Sequence, residues 1–361
     1  MALRNKDNAN VRTIFLNLCD ISIIGMMRMN FRYLLLVLGM VLMSASCHKK
    51  DDDKLYMEGS MDPKIPAYKV CGTACLGYTG GITTPSSGVK YFWVDSFRDD
   101  TTYRNEGGVY YFVVPDSLAQ YSVSQVAQAD GYYNYIYVSY VTAIMPWLGG
   151  SVVGLPEPKD SIQDARDEQF YHIVDVGNLQ WFAENLNYYG SGSGYESADD
   201  MGYITGRLYT WQEATSGETG NGLGGGPQGA CPEGWSVPTN EDWEDLAKAL
   251  SGEDHPFLSK WSGVGNYVMN DATFNGDRFW PFSIYTEFDN STGWNALSGG
   301  MSQHGHHSFE GLLSYAYFWS STQKDDSNAY YRYLYYDRPD FPFNYTLKEG
   351  AGFSVRCVKK K

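Results

Sequence analysis

Residues 231–250, CPEGWSVPTNEDWEDLAKAL, constrain this chain more than any other stretch. They read as a cysteine, a short apolar strand around Trp235 and Val237, a Pro-Thr helix start and one amphipathic helix. Thr239 and Asp242 stand at capping-box spacing: the hydroxyl accepts from the third helical N–H while the carboxylate reaches back to the cap. Trp243, Leu246, Ala247 and Leu250 recur at i, i+3, i+4 and i+7 and so share one face. Glu241, Asp242, Glu244 and Asp245 crowd the first turns, where the helix dipole favours negative charge, and Ser251-Gly252 ends the helix. One helix with one face to bury needs partners. Everything C-terminal of residue 160 therefore reads as a β-rich shell closing over it.

The remaining composition agrees. Aromatics make up 16% of the 361 residues, with 30 Tyr and 10 Trp, while only 19% are charged. Such a chain suits short β-strands with exposed tyrosines, as in secreted binding proteins, better than a helical cytosolic enzyme. The net charge of −15 and the lack of a Lys/Arg cluster exclude a nucleic-acid partner. Within 67–158, VKYFWVDSF, VYYFVVP, YSVSQVAQ and YNYIYVSYVTAIMP are Tyr/Val-rich runs separated by turn residues. They predict a β-sandwich, Ig-like in the loose sense. LGGSVVGLPEPKD (148–160) reads as a Gly/Pro-rich boundary before a C-terminal α+β domain at 160–361.

In that second domain, FYHIVDV and LQWFAENL flank Gly177-Asn178 as a hairpin. Thr210 and Glu213 form a second capping box on a short helix. GETGNGLGGGPQG (217–229) reads as a flexible loop; without GK[ST] and a preceding βαβ pattern it is no phosphate loop. YAYFWSST, AYYRYLYY and GFSVRCVK are three further strands.

At the other end, Arg28 and Arg32 precede the apolar run YLLLVLGMVLM (33–43), which is too short to span a bilayer. With Ser44-Ala45-Ser46 and Cys47 it resembles a bacterial lipoprotein signal, which implies removal of 1–46 and lipidation of Cys47. Ser44 stands where such signals usually have Leu, and residues before Met29 lack signal character. HKKDDDK (48–54) is similar to the acidic export tag of Bacteroidetes surface lipoproteins. Residues 47–66 read as a tether to the outer membrane.

Four cysteines remain beyond Cys19 and Cys47, namely Cys71, Cys75, Cys231 and Cys357. They allow three pairings, and an exported chain makes disulfides the default.

The ordered set DARDEQFYHIVDVGNLQWFAENLNY, GRLYTW, CPEGWSVPTNEDWEDL, YAYFWSST and GFSVRCVK resembles the Fibrobacter succinogenes major paralogous domain, a family of secreted and surface proteins. The resemblance covers about 160–361 and leaves the N-terminal half aside. The family is in turn similar to the C-type lectin-like fold, which implies a bridge between Cys231 and Cys357. Cys71 and Cys75 would then close a small ring in the first domain. The family context implies a non-catalytic, surface-exposed module for glycan or protein ligands, or an accessory part of a surface assembly.

No GxSxG, HExxH or Walker motif points to a reaction. Two facing carboxylates, as a polysaccharide hydrolase needs, cannot be paired from spacing alone. The histidines of QHGHH read as an exposed turn. His304, His306, Asp325 and Asp326 are the residues a metal such as calcium would draw on, although the EPN and WND triplets of sugar-binding lectins are absent. No cofactor is expected, and the oligomeric state is not legible. The alternation of YYRYLYYD sets Tyr331, Tyr333 and Tyr335 on one strand face and Tyr330, Arg332, Leu334 and Tyr336 on the other. Tyr331, Tyr333, Tyr335 and Arg332 are the candidate ligand residues, since sugar rings stack on aromatic faces.

Overall fold

A computed structural model describes residues 54–98, 108–145, 151–156 and 160–361. Cys47, the signal and tether residues 48–53 lie outside them. One small unit contains residues 54–56 and 131–133, in which Leu55 bridges Tyr132 and Tyr56 stacks on Tyr133 at 5.0 Å. The other unit holds the rest of the described chain.

That larger unit is β-rich. Its N-terminal half has strands β1 (Glu58–Gly59), β2 (Tyr68–Val70), β3 (Ala74–Gly77), β4 (Ile82–Thr84), β5 (Lys90–Asp95), β6 (Tyr110–Val113), β7 (Gln120–Gln128) and β8 (Tyr135–Ile144). A four-stranded sheet runs β2-β8-β7-β5, and β3 pairs with β6. Their inward residues, among them Cys75, Trp93, Tyr110, Phe112 and Val123, form one core, as alternation along each strand requires. Part of the expected tether is structured: β1 pairs with β4, and Met61 is buried.

Cys71 and Cys75 are free thiols, not the expected ring. Gly72, at φ +73°, turns the chain between β2 and β3. Cys75 then points from β3 into the core, and burial pushes its thiol up to about 11.

The predicted boundary is not a free linker. Within it β9 (Val152–Val153) pairs with β15 (Thr273–Phe274), which also pairs with β16 (Asp277–Arg278). Asp200 accepts from the Val70 N–H at 2.7 Å and pairs with Lys69 at 3.1 Å, while Ile144 and Val152 join the largest apolar cluster. The two halves therefore share that cluster, although the N-terminal half also keeps a core of its own.

In the C-terminal half, β10 (Asp160–Gln163), β11 (Phe170–Val176), β12 (Leu179–Phe182) and β23 (Val358–Lys360) form one sheet in that order. The last strand thus returns to the first hairpin. The Cys231–Cys357 disulfide, with Cα atoms 5.8 Å apart, closes a separation of 126 residues beside this seam. A second sheet runs β13 (Tyr209–Thr210), β22 (Ala351–Phe353), β17 (Gly299–Gln303), β19 (Tyr315–Gln323), β20 (Asn328–Tyr335), β21 (Phe341–Leu347) and β14 (Lys260–Trp261), with β18 (Ser308–Leu312) on β17.

The Asn240–Ser251 helix lies against this second sheet as its periodicity demands. Thr239 Oγ1 accepts from the Asp242 N–H at 3.1 Å, Asp242 Oδ2 accepts from the Thr239 N–H at 2.8 Å, and Gly252 at φ +69° ends the helix. Trp243, Leu246 and Ala247 are buried and Leu250 packs partly against them; the Trp243 indole donates to the Trp319 carbonyl at 3.2 Å. Asp242 does more than cap, since its Oδ1 accepts from the Gly224 N–H at 2.5 Å. The Gly-rich loop is therefore fixed rather than flexible. Thr239 Oγ1 donates to Gly222 O at 3.1 Å, and a Cβ on Gly226 would collide with the Val237 carbonyl. Its glycines serve close packing.

Candidate functional site

Strands β19 and β20 pair antiparallel, with Tyr315 opposite Tyr335, Tyr317 opposite Tyr333 and Trp319 opposite Tyr331. Period-two alternation sends all six to the same side of the sheet. The opposite side carries Ala316, Phe318 and Leu334, which are buried in the main core. Register thus joins the five tyrosines in one ladder. All five are half-buried.

The ladder is packed rather than loose. Tyr315 and Tyr335 stack with centroids 4.5 Å apart and planes at 22°, and Tyr317 lies 6.0 Å from Tyr333. Phe353, itself buried, closes one end: its ring is 5.2 Å from Tyr317, 4.9 Å from Tyr331 and 4.4 Å from Trp319. At the other end the Tyr336 ring packs edge-on against Tyr335 with centroids 4.6 Å apart. Burial raises the phenol pKa of Tyr317, Tyr331 and Tyr333, and a hydrogen bond to Tyr336 raises that of Tyr335. These hydroxyls stay protonated at neutral pH, each a donor and an acceptor beside an apolar ring. Rigid rings bearing neutral hydroxyls form a surface on which a polar, partly apolar ligand can lie at little entropic cost.

The expected ligand residues Tyr331, Tyr333 and Tyr335 share this face, but Arg332 does not. It is 1% exposed, lies 4.8 Å over the Phe343 ring and donates to Asn240 Oδ1 at 3.3 Å. Alternation within β20 points it inward, and desolvation pulls its pKa down to about 10. Tyr315 and Tyr317 were not among the expected ligand residues. The same alternation in YAYFWSST marks them, but pairing with β20 is a tertiary fact.

The other candidate residues sit in the β19–β20 and β17–β18 turns. Asp325 accepts from the Ser327 and Asn328 N–H groups at 3.0 and 2.9 Å, closing the β19–β20 turn, and the Asp326 carbonyl accepts from Lys348 Nζ at 3.0 Å. His304 is exposed in the β17–β18 turn. Among the described residues no group of three or more His, Cys, Asp or Glu is placed to hold a metal ion.

His306 departs from the expected exposed turn. Its Nδ1 is 2.7 Å from Ser302 Oγ and its Nε2 is 2.9 Å from Glu213 Oε2. Serine, histidine and carboxylate stand in the order of a hydrolytic triad. Ser302, however, is completely buried, and a Cβ on Gly352 would fall on its Oγ. The array fastens the β17–β18 hairpin to the Trp211–Thr215 helix, whose cap Glu213 also completes by accepting from the Thr210 N–H at 2.7 Å.

A family model described as the Fibrobacter succinogenes major domain matches residues 174–359. The match begins within β11, ends within β23 and contains the ladder, the disulfide and the organising helix. No curated protein and no solved structure matches the chain.

Proposed function

The chain belongs to the Fibrobacter succinogenes major domain family, and from that premise we propose that it is a non-catalytic binding module at the bacterial surface. Its ligand is a glycan, held on the tyrosine ladder. The observation that carries this reading is the set Tyr315, Tyr317, Tyr331, Tyr333 and Tyr335, half-exposed on one face of two paired strands. The lipoprotein-like signal ending at Cys47 supports placement on the outer membrane, with 47–53 as part of the tether. The sealed Ser302 hydroxyl supports binding over hydrolysis.

The test is a glycan array probed with the purified chain and with Tyr315→Ala and Tyr333→Ala variants. Ladder-dependent retention on a subset of polysaccharides is expected. Retention unchanged in both folded variants would remove the ladder from the account.

A second reading, an accessory part of a surface assembly, is favoured by large apolar side chains open to solvent. Phe257, Leu258, Phe282, Ile284 and Tyr285 are 69–78% exposed. Recovery of the same protein partner from outer membranes by the native chain, and its loss with Phe257→Ser and Phe282→Ser, would favour this reading over glycan binding.

A further inference from the structure

The tyrosine ladder has charged edges, and their sign bears on what lies on it. Met301 in β17 stands opposite Glu310 in β18, and Gln303, two positions on, donates to Glu310 Oε1 at 2.6 Å. Met301 packs on the same core cluster as Tyr317 and Tyr331, so alternation sets Gln303 and Glu310 on the ladder side of the sheet. Glu310 is exposed there, and its hydrogen-bond partner is a neutral amide.

The opposite edge is β21. Tyr331 faces Asn344 across the β20–β21 pairing, and alternation puts Pro342 on the same side. Lys260 of β14 stands opposite Pro342, and its Nζ lies 2.6 Å from Asp340 Oδ2. At the end of the ladder Tyr335 bridges Arg338, whose Nε is 3.8 Å from Asp337 Oδ1. Lys260 and Arg338 thus each face a carboxylate already, whereas Glu310 faces an uncharged group. Burial raises the phenol pKa of Tyr317 and Tyr333, and Glu310 and Asp340 respectively add to it, so both carboxylates are within electrostatic reach of the rings.

These edges treat ligands unequally. A uronate or sulfate lying along the rings meets Glu310, and it gains Lys260 or Arg338 only by taking that cation from its own carboxylate. Like charges set side by side oppose association. A sugar hydroxyl incurs no such cost, since it donates to a carboxylate and accepts from an amide or an ammonium group. We propose that the ladder selects uncharged glycans over polyanionic ones, with Glu310 as the specificity-determining residue. This inference rests on the glycan-binding reading above and names the class of glycan.

The test is an array of matched pairs, laminarin with laminarin sulfate and esterified pectin with the polygalacturonate made from it, probed with the purified full chain. Retention at low salt is expected to be about tenfold stronger on an uncharged member than on its anionic partner. The ratio is expected to shrink in 1 M salt, where the Debye length is about 3 Å. Glu310→Gln, which keeps an acceptor for Gln303, is expected to narrow the ratio, and Glu310→Lys to close it. Equal or stronger retention of the anionic members by the native chain overturns the proposal, as does a ratio that Glu310→Lys leaves in place. In either case the ladder itself stands if Tyr333→Ala abolishes the retention. Retention that Tyr333→Ala leaves unchanged, or none on any member, instead overturns the ladder reading and this inference with it.

Discussion

His306 Nε2 lies 2.9 Å from Glu213 Oε2, although the two residues are 93 positions apart in sequence. The same carboxylate accepts from the N–H and the hydroxyl of Thr210, at 2.7 and 2.9 Å. One side chain therefore joins a helix cap to a hairpin turn. Burial opposes its ionisation, but the hydrogen bonds from His306 and Thr210 prevail and hold its pKa at about 2.

That depression has a definite sign. A carboxyl with a folded pKa below its unfolded value contributes stability above the unfolded value and loses it as pH falls through the folded one. The contribution of Glu213 is complete above its ordinary 4.5 and disappears toward about 2. Melting temperatures of the native chain and Glu213→Gln are expected to differ most at neutral pH and to converge through this acid window. A constant difference from pH 7 to pH 2 would show that the carboxylate charge plays no part.

Thr239→Ala removes the acceptor for the Asp242 N–H and the donor to Gly222 O. A lost N-cap costs about 1 kcal/mol. Because the same hydroxyl also holds the Gly-rich loop, urea unfolding is expected to show at least that loss. Thr239→Ser, which keeps the hydroxyl, is expected to recover most of it.

What the sequence revealed follows from the range of the interactions. Capping boxes, the helix face and the split of Tyr331 from Arg332 depend on neighbours within a few residues, and spacing alone determined them. The His306–Glu213 pair, the docking of Val152 on Phe274 and the joining of Tyr315 to Tyr335 depend on strand order, which no local period encodes. The Gly-rich loop misled for a related reason. Its composition is that of a flexible linker, whereas Gly220 and Gly226 are small because Ser321 and Val237 press against them. Cys71 and Cys75 suggested a ring by proximity, yet strand alternation turned one sulfur into the core.

Gly226→Ala tests that account of the loop. Its added Cβ meets a backbone carbonyl, which cannot rotate away as a side-chain end would. Overpacking of this kind costs typically 1–3 kcal/mol. Gly222→Ala, where the Cβ points into open space but φ is +75°, is expected to cost only the left-handed backbone preference, roughly 1–2 kcal/mol. Equal tolerance of both in thermal melts, with no loss, would return the loop to a flexible linker.

Reducing Cys231–Cys357 releases a closure of 126 residues. The chain-entropy model values such a constraint at about 4–5 kcal/mol. The bond is fully buried, so thiol reagents in native conditions are expected to leave it untouched, and a reductant is expected to act mainly during unfolding. The paired substitution Cys231→Ala with Cys357→Ala is expected to lower the urea midpoint and to steepen the slope, since the unfolded chain expands once the closure is gone. An unchanged midpoint would mean that the β12–β23 seam closes the domain unaided.

Arg332 and Tyr333 are adjacent in β20 but face opposite sides, so together they test where the ligand lies. Arg332→Met removes a buried cation whose Nε has no hydrogen-bond partner, and leaves an unbranched apolar side chain in its place. Exchanging buried charge for apolar volume is often neutral or stabilising, so this variant is expected to fold and to bind as the native chain does. Tyr333→Ala instead opens the ladder beside Tyr317 and Tyr331, each 6.0 Å from it. Loss of one aromatic anchor is expected to weaken ligand binding at least tenfold, with little change in melting temperature since the ring is half-exposed. Isothermal titration with whichever glycan the array identifies separates the two. If Arg332→Met abolished binding while Tyr333→Ala preserved it, the ligand would belong on the inner side of the strand, where the helix now packs, and the ladder would be a packing feature of the sheet.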